Sequence, residues 1–361
     1  MKRLRLELKK DTDRSYDVVV GRGILASLHS EIQRLGSFSS YGLVTDEVVR
    51  PLVAEPLQDQ LRSHSIDIAL IALPPGESAK TIETVLDLCQ QLLAQGFDRS
   101  SLLLAVGGGV VGDITGFAAA IYMRGIPYIQ VPTTLLAQVD SSLGGKTGVD
   151  LPSGKNLLGA FHQPRLVLSD IDVLTSLSSD ARRDGFAEVI KAALIEDSEL
   201  FSILEKEGLD LLDTANPHLE TIIAKACEVK CRVVYRDEHE SGLRRILNFG
   251  HTLGHALEAA TNYEITHGQA VAAGMAVAIR FSQRWAGLTQ NEADRALALI
   301  RNVGLPTELP GDIDSESLLS ALEKDKKIQA GICHFVLIST IGQAVIHSIP
   351  VGDLRQSLTQ I

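Results

Sequence analysis

Residues 101–123 read SLLLAVGGGVVGDITGFAAAIYM: an apolar run too short for a helix, a glycine turn, then a longer stretch rich in small apolar residues. Strand, turn and helix follow in the order of a dinucleotide-binding unit, and Gly107, Gly109 and Gly112 fit the spacing G-x-G-x-x-G. Glycines there let the backbone approach a pyrophosphate, whose charge meets free N–H groups and the positive end of the helix dipole. The same glycines would also serve a tight turn packing a helix on a sheet. Two details depart from the usual fingerprint. The turn follows a late apolar run instead of the first, and the next run, YIQVPTT, closes on Thr133 and Thr134 instead of an acid. Ribose recognition must then come from elsewhere. Asp46, ending GLVTD, and Glu77 and Lys80 in the turn PPGESAK are candidates at the carboxyl ends of other strands, though each alone suits a helix cap equally well.

Outward from that unit, YDVVV, GLVTD, IDIALIAL, YIQVP and LVLSD alternate with amphipathic stretches, the pattern of a parallel sheet covered by helices. From about residue 176 the period becomes helical, as in FAEVIKAALIE, LETIIAKACEVKCRVVY, TLGHALEAA and GQAVAAGMAVAIRFSQRWA. Near the end HFVLISTIG and QAVIHSI read as two strands joined through Gly342. The expectation is an α/β N-terminal domain with a parallel Rossmann-like sheet over 1–175 and a mainly α-helical C-terminal domain over 176–361. At 361 residues the chain is longer than one hydrophobic core usually supports.

With 45% hydrophobic and 22% charged residues and a net charge of −11, the composition is that of a globular protein that would repel nucleic acid and acidic membranes. The start MKRLRLELKK alternates charge with leucine and reads as a strand, not a signal peptide, and no run reaches the ~18 uninterrupted apolar residues of a spanning helix. Cys89, Cys227, Cys231 and Cys333 are too few and scattered for a secreted disulfide framework, so the expected compartment is the cytoplasm. Cys227 and Cys231, one helical turn apart, suit either a shared metal or plain packing.

The stretch SSLGGKTGVDLPSGKN, 141–156, looks like the end of a P-loop, but that motif needs a glycine where this chain has Asp140, whose carboxylate would oppose phosphate. It reads instead as a lysine-bearing loop for another anion. In NFGHTLGH, His251 and His255 fall at i and i+4 on one helix face, without the glutamate of a metalloprotease. His267 opens a later helix, and Glu188 lies upstream with Lys191 one turn on. Two histidines and a carboxylate suit a catalytic divalent metal with one open position; spacing does not say which of the three histidines orients a ligand or moves a proton instead. Arg124, Lys146, Lys155, Lys191, Lys230, Arg244, Lys326 and Lys327 cluster about these motifs, several within apolar or glycine-rich sequence where an unpaired charge is costly unless it meets an anion. A substrate with more than one negative group follows.

The series PPGESAK, GGGVVGD, MRG, PTTLLAQVDSSLGGKTGVDLPSGKN, GFAEVIK, ESGLRRILNFGHTLGHALE, HGQAVAAGM and DKK, in that order along nearly the whole chain, resembles the 3-dehydroquinate synthase family. The resemblance implies an NAD- and divalent-metal-dependent enzyme (zinc or cobalt) of the shikimate pathway. It would convert the sugar acid 3-deoxy-D-arabino-heptulosonate 7-phosphate to 3-dehydroquinate and phosphate by transient oxidation, phosphate elimination, re-reduction and aldol closure. It implies metal ligands Glu188, His251 and His267, with His255 beside the phosphate; substrate contacts from Asp140, Lys146, Lys155, Asn156, Lys191, Lys230, Arg244 and Asn248; and NAD contacts from Asp46, Glu77, Lys80, Gly108, Gly109, Val110, Asp113, Thr133 and Thr134. It further implies a homodimer in which the partner subunit supplies Arg124. Ser176 stands where the family has threonine, and either Lys326 or Lys327 matches the family's lysine in DKK. Two rivals share parts of the pattern: metal-dependent polyol dehydrogenases, which would release NADH, and cyclases acting on sedoheptulose 7-phosphate, which lacks the carboxylate.

Overall fold

The structure, a computed structural model, describes residues 13–261, 264–310, 318, 328–329 and 332–358. The opening stretch MKRLRLELKK and the lysines Lys326 and Lys327 lie outside the described residues.

All six apolar runs of the first half are strands: β1 (Asp17–Gly21), β2 (Tyr41–Asp46), β3 (Ile68–Leu73), β4 (Leu102–Gly107), β5 (Tyr128–Pro132) and, after an intervening hairpin, β8 (Leu166–Asp170). They form one parallel sheet ordered β1-β8-β5-β4-β2-β3. Every residue of β4 is buried, which is why its sequence is continuously apolar instead of alternating. Helices α1 (Leu28–Leu35) and α2 (Glu55–Ser63) cover one face, packing Leu28, Ile32, Leu57 and Leu61 against Leu43, Leu104 and Ile129. On the other face α3 (Ile82–Ala94) and α4 (Gly109–Ile121) pack Val85, Leu88, Ile114 and Ala118 against Val44, Leu103 and Tyr128.

This topology places the first candidate site. The chain leaves β2 toward β3 but leaves β4 toward β5, on opposite sides, so the carboxyl ends of the adjacent strands β2 and β4 part at a switch point. Asp46 ends β2 and Gly107 ends β4.

Residues 146–161 correct the reading of 141–156 as a loop. They form an antiparallel hairpin, β6 (Lys146–Leu151) and β7 (Gly154–Phe161), outside the main sheet. Gly148 faces Gly159 across it, and a Cβ on either would strike the backbone of the other strand. Glycines taken for a loop signal are what lets these two strands meet closely.

The second half is helical as expected: α5 (Ser179–Glu196), α6 (Ser198–Glu207), α7 (Leu219–Arg236), α8 (His251–Ala260), α9 (His267–Trp285) and α10 (Gln290–Asn302). The pair expected at the end is present as β10 (Ile332–Thr340) and β11 (Gln343–Pro350), turning at Gly342 with φ +87°; β9 (Ile328–Gln329) adds a short third strand and α11 (Val351–Leu358) follows. Its core joins Phe186, Ile190, Ile222, Leu253, Val277 and Leu337 to Leu135, Val139, Val167 and Ile171 from the sheet half, so the two halves share one apolar contact. Among the described residues no helix is long and apolar enough to cross a membrane.

Candidate active site

At the switch point, α4 starts with Gly108 as its N-cap, directly after β4. A Cβ on Gly107 would lie 2.6 Å from Val111, and one on Gly112 would lie 2.8 Å from Gln130 Oε1. Both glycines therefore serve the close packing of helix on strand, and the free N–H groups of the first turn of α4, including those of Gly109 and Val110, face the crevice end of the sheet. Thr133 donates its N–H to Gly107 O at 2.9 Å, while its buried hydroxyl has no hydrogen-bond partner among the described residues. The Thr134 hydroxyl accepts from Ala137 N at 3.1 Å. Asp46 accepts from the N–H groups of Val48 and Val49 at 2.8 Å each, which folds the turn that leaves β2.

Lys80 ties this turn to the hairpin. Its ammonium lies 2.6 Å from Asp113 on α4 and donates to Asn156 Oδ1 at 2.6 Å. Asp150 of β6 donates its N–H to Lys80 O, and Asn156 N donates to Asp150 Oδ1. Burial pulls the Lys80 pKa down, but Asp113, Glu77 and Asp150 more than offset it, and the net shift is upward. Asn156 sits at φ +56°, held there by these contacts.

Helices α5, α8 and α9 bring Glu188, His251 and His267 together with ligand atoms within 4.8 Å of one another. His251 Nε2 is 3.4 Å and His267 Nε2 3.6 Å from the same oxygen, Glu188 Oε1. Both Glu188 oxygens are buried without a well-formed hydrogen bond, although Lys191, one turn along α5, pairs with the carboxylate. Two imidazole nitrogens converging on a buried, under-satisfied carboxylate are a donor set that fits a divalent cation. Burial would raise the Glu188 pKa, yet Lys191 and His267 hold it at about 2. For His267 burial acts downward, but Glu188 and Glu258 raise it to about 10. Neither Cys227 nor Cys231 belongs to a metal-competent group among the described residues; Cys227 is buried and its thiol donates to Gln138 O.

The cations converge on the same cleft, all but Arg244 paired with a carboxylate. Lys230 of α7 donates to Asp140 Oδ1 and Asp140 O at 2.6 Å, and Lys191 lies 3.9 Å from the same Asp140 oxygen. Lys146 pairs with Glu240, whose other oxygen accepts from Asn248 Nδ2 at 2.8 Å. Lys155 lies 3.1 Å from Glu258 and 3.9 Å from Glu77. Arg244, only 1% exposed, donates to Glu238 O and Gly144 O, and its Nε has no hydrogen-bond partner among the described residues. Burial lowers the pKa of Arg244 and of Lys230, while Lys191, equally buried, is raised by Glu188 and Asp140. The exposed ring of His255 lies 5.3 Å from that of His251 and is grouped with Glu258 and His267, apart from Glu188. Arg124 does not join the cluster. It is exposed at φ +69°, just after α4, and its side chain makes no hydrogen bond or ion pair with any described residue.

Three carboxylates that matter here were not singled out from sequence. Glu240, at φ +58°, and Glu258 lie inside motifs already quoted. Glu258 follows His251 and His255 by seven and three residues, on the helix face they share, and that spacing was the available signal. Asp237 accepts from the N–H groups of Ser241, Gly242 and Arg244, folding the loop that presents Glu240 and Arg244. Nothing in its sequence neighbourhood marks it.

Residues 70–184 match the family model described as 3-dehydroquinate synthase N-terminal, and residues 185–328 match 3-dehydroquinate synthase C-terminal. The chain is 46% identical to the 3-dehydroquinate synthase of Acidithiobacillus ferrooxidans over 347 residues, 96% of this chain and 95% of that protein. It is 43% identical to that of Nostoc punctiforme over 350 residues, 96% of each. Among solved structures, the 2-epi-5-epi-valiolone synthase of Streptomyces hygroscopicus subsp. jinggangensis 5008, with NAD+ and Zn2+ bound, superposes with a TM-score of 0.89 at 33% identity over 99% of each chain. A 2-deoxy-scyllo-inosose synthase complexed with carbaglucose-6-phosphate, NAD+ and Co2+ gives 0.87 at 28% over 96% of each. A glycerol dehydrogenase of Schizosaccharomyces pombe, at 15% identity and a TM-score of 0.69 over 98% of this chain and 91% of that one, shares the fold alone. By its sequence along nearly its whole length, the chain belongs to the 3-dehydroquinate synthase family.

Proposed function

We propose that this chain converts 3-deoxy-D-arabino-heptulosonate 7-phosphate to 3-dehydroquinate and phosphate, with NAD at the switch-point turn and one divalent cation, zinc or cobalt, held by Glu188, His251 and His267. The observation that carries the reading is the meeting of that ligand set with two anchored cation groups in one cleft, in a chain 43–46% identical to 3-dehydroquinate synthases. When bound, the nicotinamide takes and returns a hydride and the cation polarises the substrate's C5 oxygen as a Lewis acid.

The chain's own residues hold the substrate by its two charged ends. Lys191 and Lys230, tied through Asp140, flank the metal ligands; Lys146 and Asn248, tied through Glu240, form a second group. The fork of Arg244 suits a planar carboxylate, and the free Nε is a donor it has left to give. Lys146, Lys155, Lys191, Lys230 and Arg244 against Asp140, Glu188, Glu240 and Glu258 leave one net positive charge. A divalent cation brings this to three, which a carboxylate and a phosphate dianion balance. Fixing both ends keeps the reacting carbons in place through successive steps.

The reading includes a cytoplasmic homodimer with Arg124 entering the partner's cleft, and a division into an NAD-binding domain over 1–175 and a metal- and substrate-binding domain over 176–361. Exposed Ile121 and Met123 beside Arg124, and Leu157 and Leu158 on β7, supply apolar surface for such a contact. The deciding assay follows phosphate release from the heptulosonate phosphate with and without chelator while monitoring NADH. Chelator-sensitive phosphate release with no net NADH is the expected outcome; stoichiometric NADH would instead assign a dehydrogenase.

A further inference from the structure

A metal ligand histidine works only if its ring is held with one nitrogen toward the ion, and an acceptor on the other nitrogen usually does this. His251 has such a holder: its Nδ1 lies 3.2 Å from Phe249 O, leaving Nε2 toward Glu188. His267 is the first residue of α9. Its backbone is fixed by the Thr266 capping box and by Asp184, which accepts from Gly268 N at 2.7 Å, but these contacts do not set the rotation of its ring. The group facing its Nδ1 is Glu258, whose Oε1 lies 3.6 Å away, an ion-pair separation a few tenths longer than a hydrogen bond. Glu258 is 4% exposed, and the same oxygen lies 3.1 Å from Lys155 of the hairpin.

We propose that Glu258 is a positioning residue with two arms: it orients His267 so that Nε2 faces the metal, and it seats Lys155, tying the metal centre to the anion-binding hairpin. The inference rests on the metal reading above. His255, Glu258 and His267 also satisfy the spacing of a second cation group, but the Lys155 ammonium already occupies the Glu258 oxygen that would bind the ion, and the His267 Nδ1 needed there is the one that must carry the proton.

The test titrates cobalt(II) into chelator-stripped protein, following the cobalt absorption bands, for the wild type, Glu258→Ala, Glu258→Gln, Lys155→Ala and His251→Ala, each checked for folding by thermal melting. Glu258→Ala should weaken cobalt binding roughly 10- to 100-fold, the range for loss of a carboxylate behind a ligand histidine. Glu258→Gln, which keeps an acceptor but not the charge, should weaken it several-fold, and Lys155→Ala should stay within about twofold of the wild type while raising KM, because Lys155 reaches the metal only through Glu258. His251→Ala should abolish binding; if it does not, the metal assignment fails, independently of Glu258. Wild-type cobalt affinity in either Glu258 variant that folds overturns the proposal. So does a second bound equivalent that Glu258→Ala removes, since that would make Glu258 a ligand.

Discussion

Lys80 and Lys146 look alike in sequence, each a lysine in a glycine-containing turn, but burial separates what they do. The Lys80 side chain is 6% exposed and sits against Asp113 and Asn156, so removing it strands the Asp113 carboxylate in a dry site. Lys80→Met should cost roughly 3–5 kcal/mol of stability, the scale for breaking a buried pair, and adding Asp113→Leu should recover much of that. Urea denaturation of the single and double variants checks this; a cost under about 1 kcal/mol for Lys80→Met would show that water reaches the pair. Lys146 is 49% exposed, and its pairing with Glu240 is screened by solvent. Lys146→Ala should therefore change stability by less than about 1 kcal/mol while kcat/KM falls 100-fold or more, because the anion loses its contact but the fold loses little. Equal losses in both quantities would make Lys146 a structural residue. The lysines and histidines that the structure gathers here were legible because they stand out among glycines and alanines. Their partners Glu240 and Glu258 were not, and although Glu188 was a candidate, it lies 63 residues before His251, so that only the packing of α5 and α8 on α9 shows that the two meet.

Among elements, legibility followed burial. Strand β4, buried at every residue, announces itself by an unbroken apolar run, whereas β7 is mostly exposed and carries glycine at the facing position, so its sequence resembles a turn. Helix ends were harder to read than helix faces, since caps reach outside their own element. Glu292 shows this. It closes the capping box with Thr289 at the start of α10, and its other oxygen takes hydrogen bonds from Thr340 and Ile341 at the β10–β11 turn. Those bonds, from Thr340 and Thr289 above all, depress its pKa to about 2. A carboxylate depressed on folding stabilises the protein above its unfolded pKa of about 4.3 and loses that contribution as pH falls toward the folded value. Glu292→Gln should cost roughly 1–2 kcal/mol at pH 7, and the gap to the wild type should shrink as pH falls from about 5 to 2. Urea denaturation at pH 7 and pH 3 tests the sign; the same gap at both would place the interaction elsewhere than in the ionised carboxylate.

For the whole molecule, the sheet half and the helical half are joined by a common apolar core, so the cleft between them is a built feature of one chain. Arg124 stands outside that unit. It is exposed, unpaired among the described residues, and follows Met123, which also lies at positive φ (+50°), so two consecutive residues adopt a conformation that costs on the order of 1–3 kcal/mol each and is kept where the surroundings require it. The contact with a second copy of the chain proposed above would supply such a requirement. If Arg124 acts in the partner's cleft, Arg124→Ala and Lys146→Ala subunits should each be nearly inactive alone, yet a heterodimer of the two contains one cleft with both residues intact. Random mixing makes half of the dimers heterodimers, so coexpression should restore roughly a quarter of wild-type activity per site. Were Arg124 to serve its own subunit's cleft, no intact site could form, and the mixture would be as inactive as its parents.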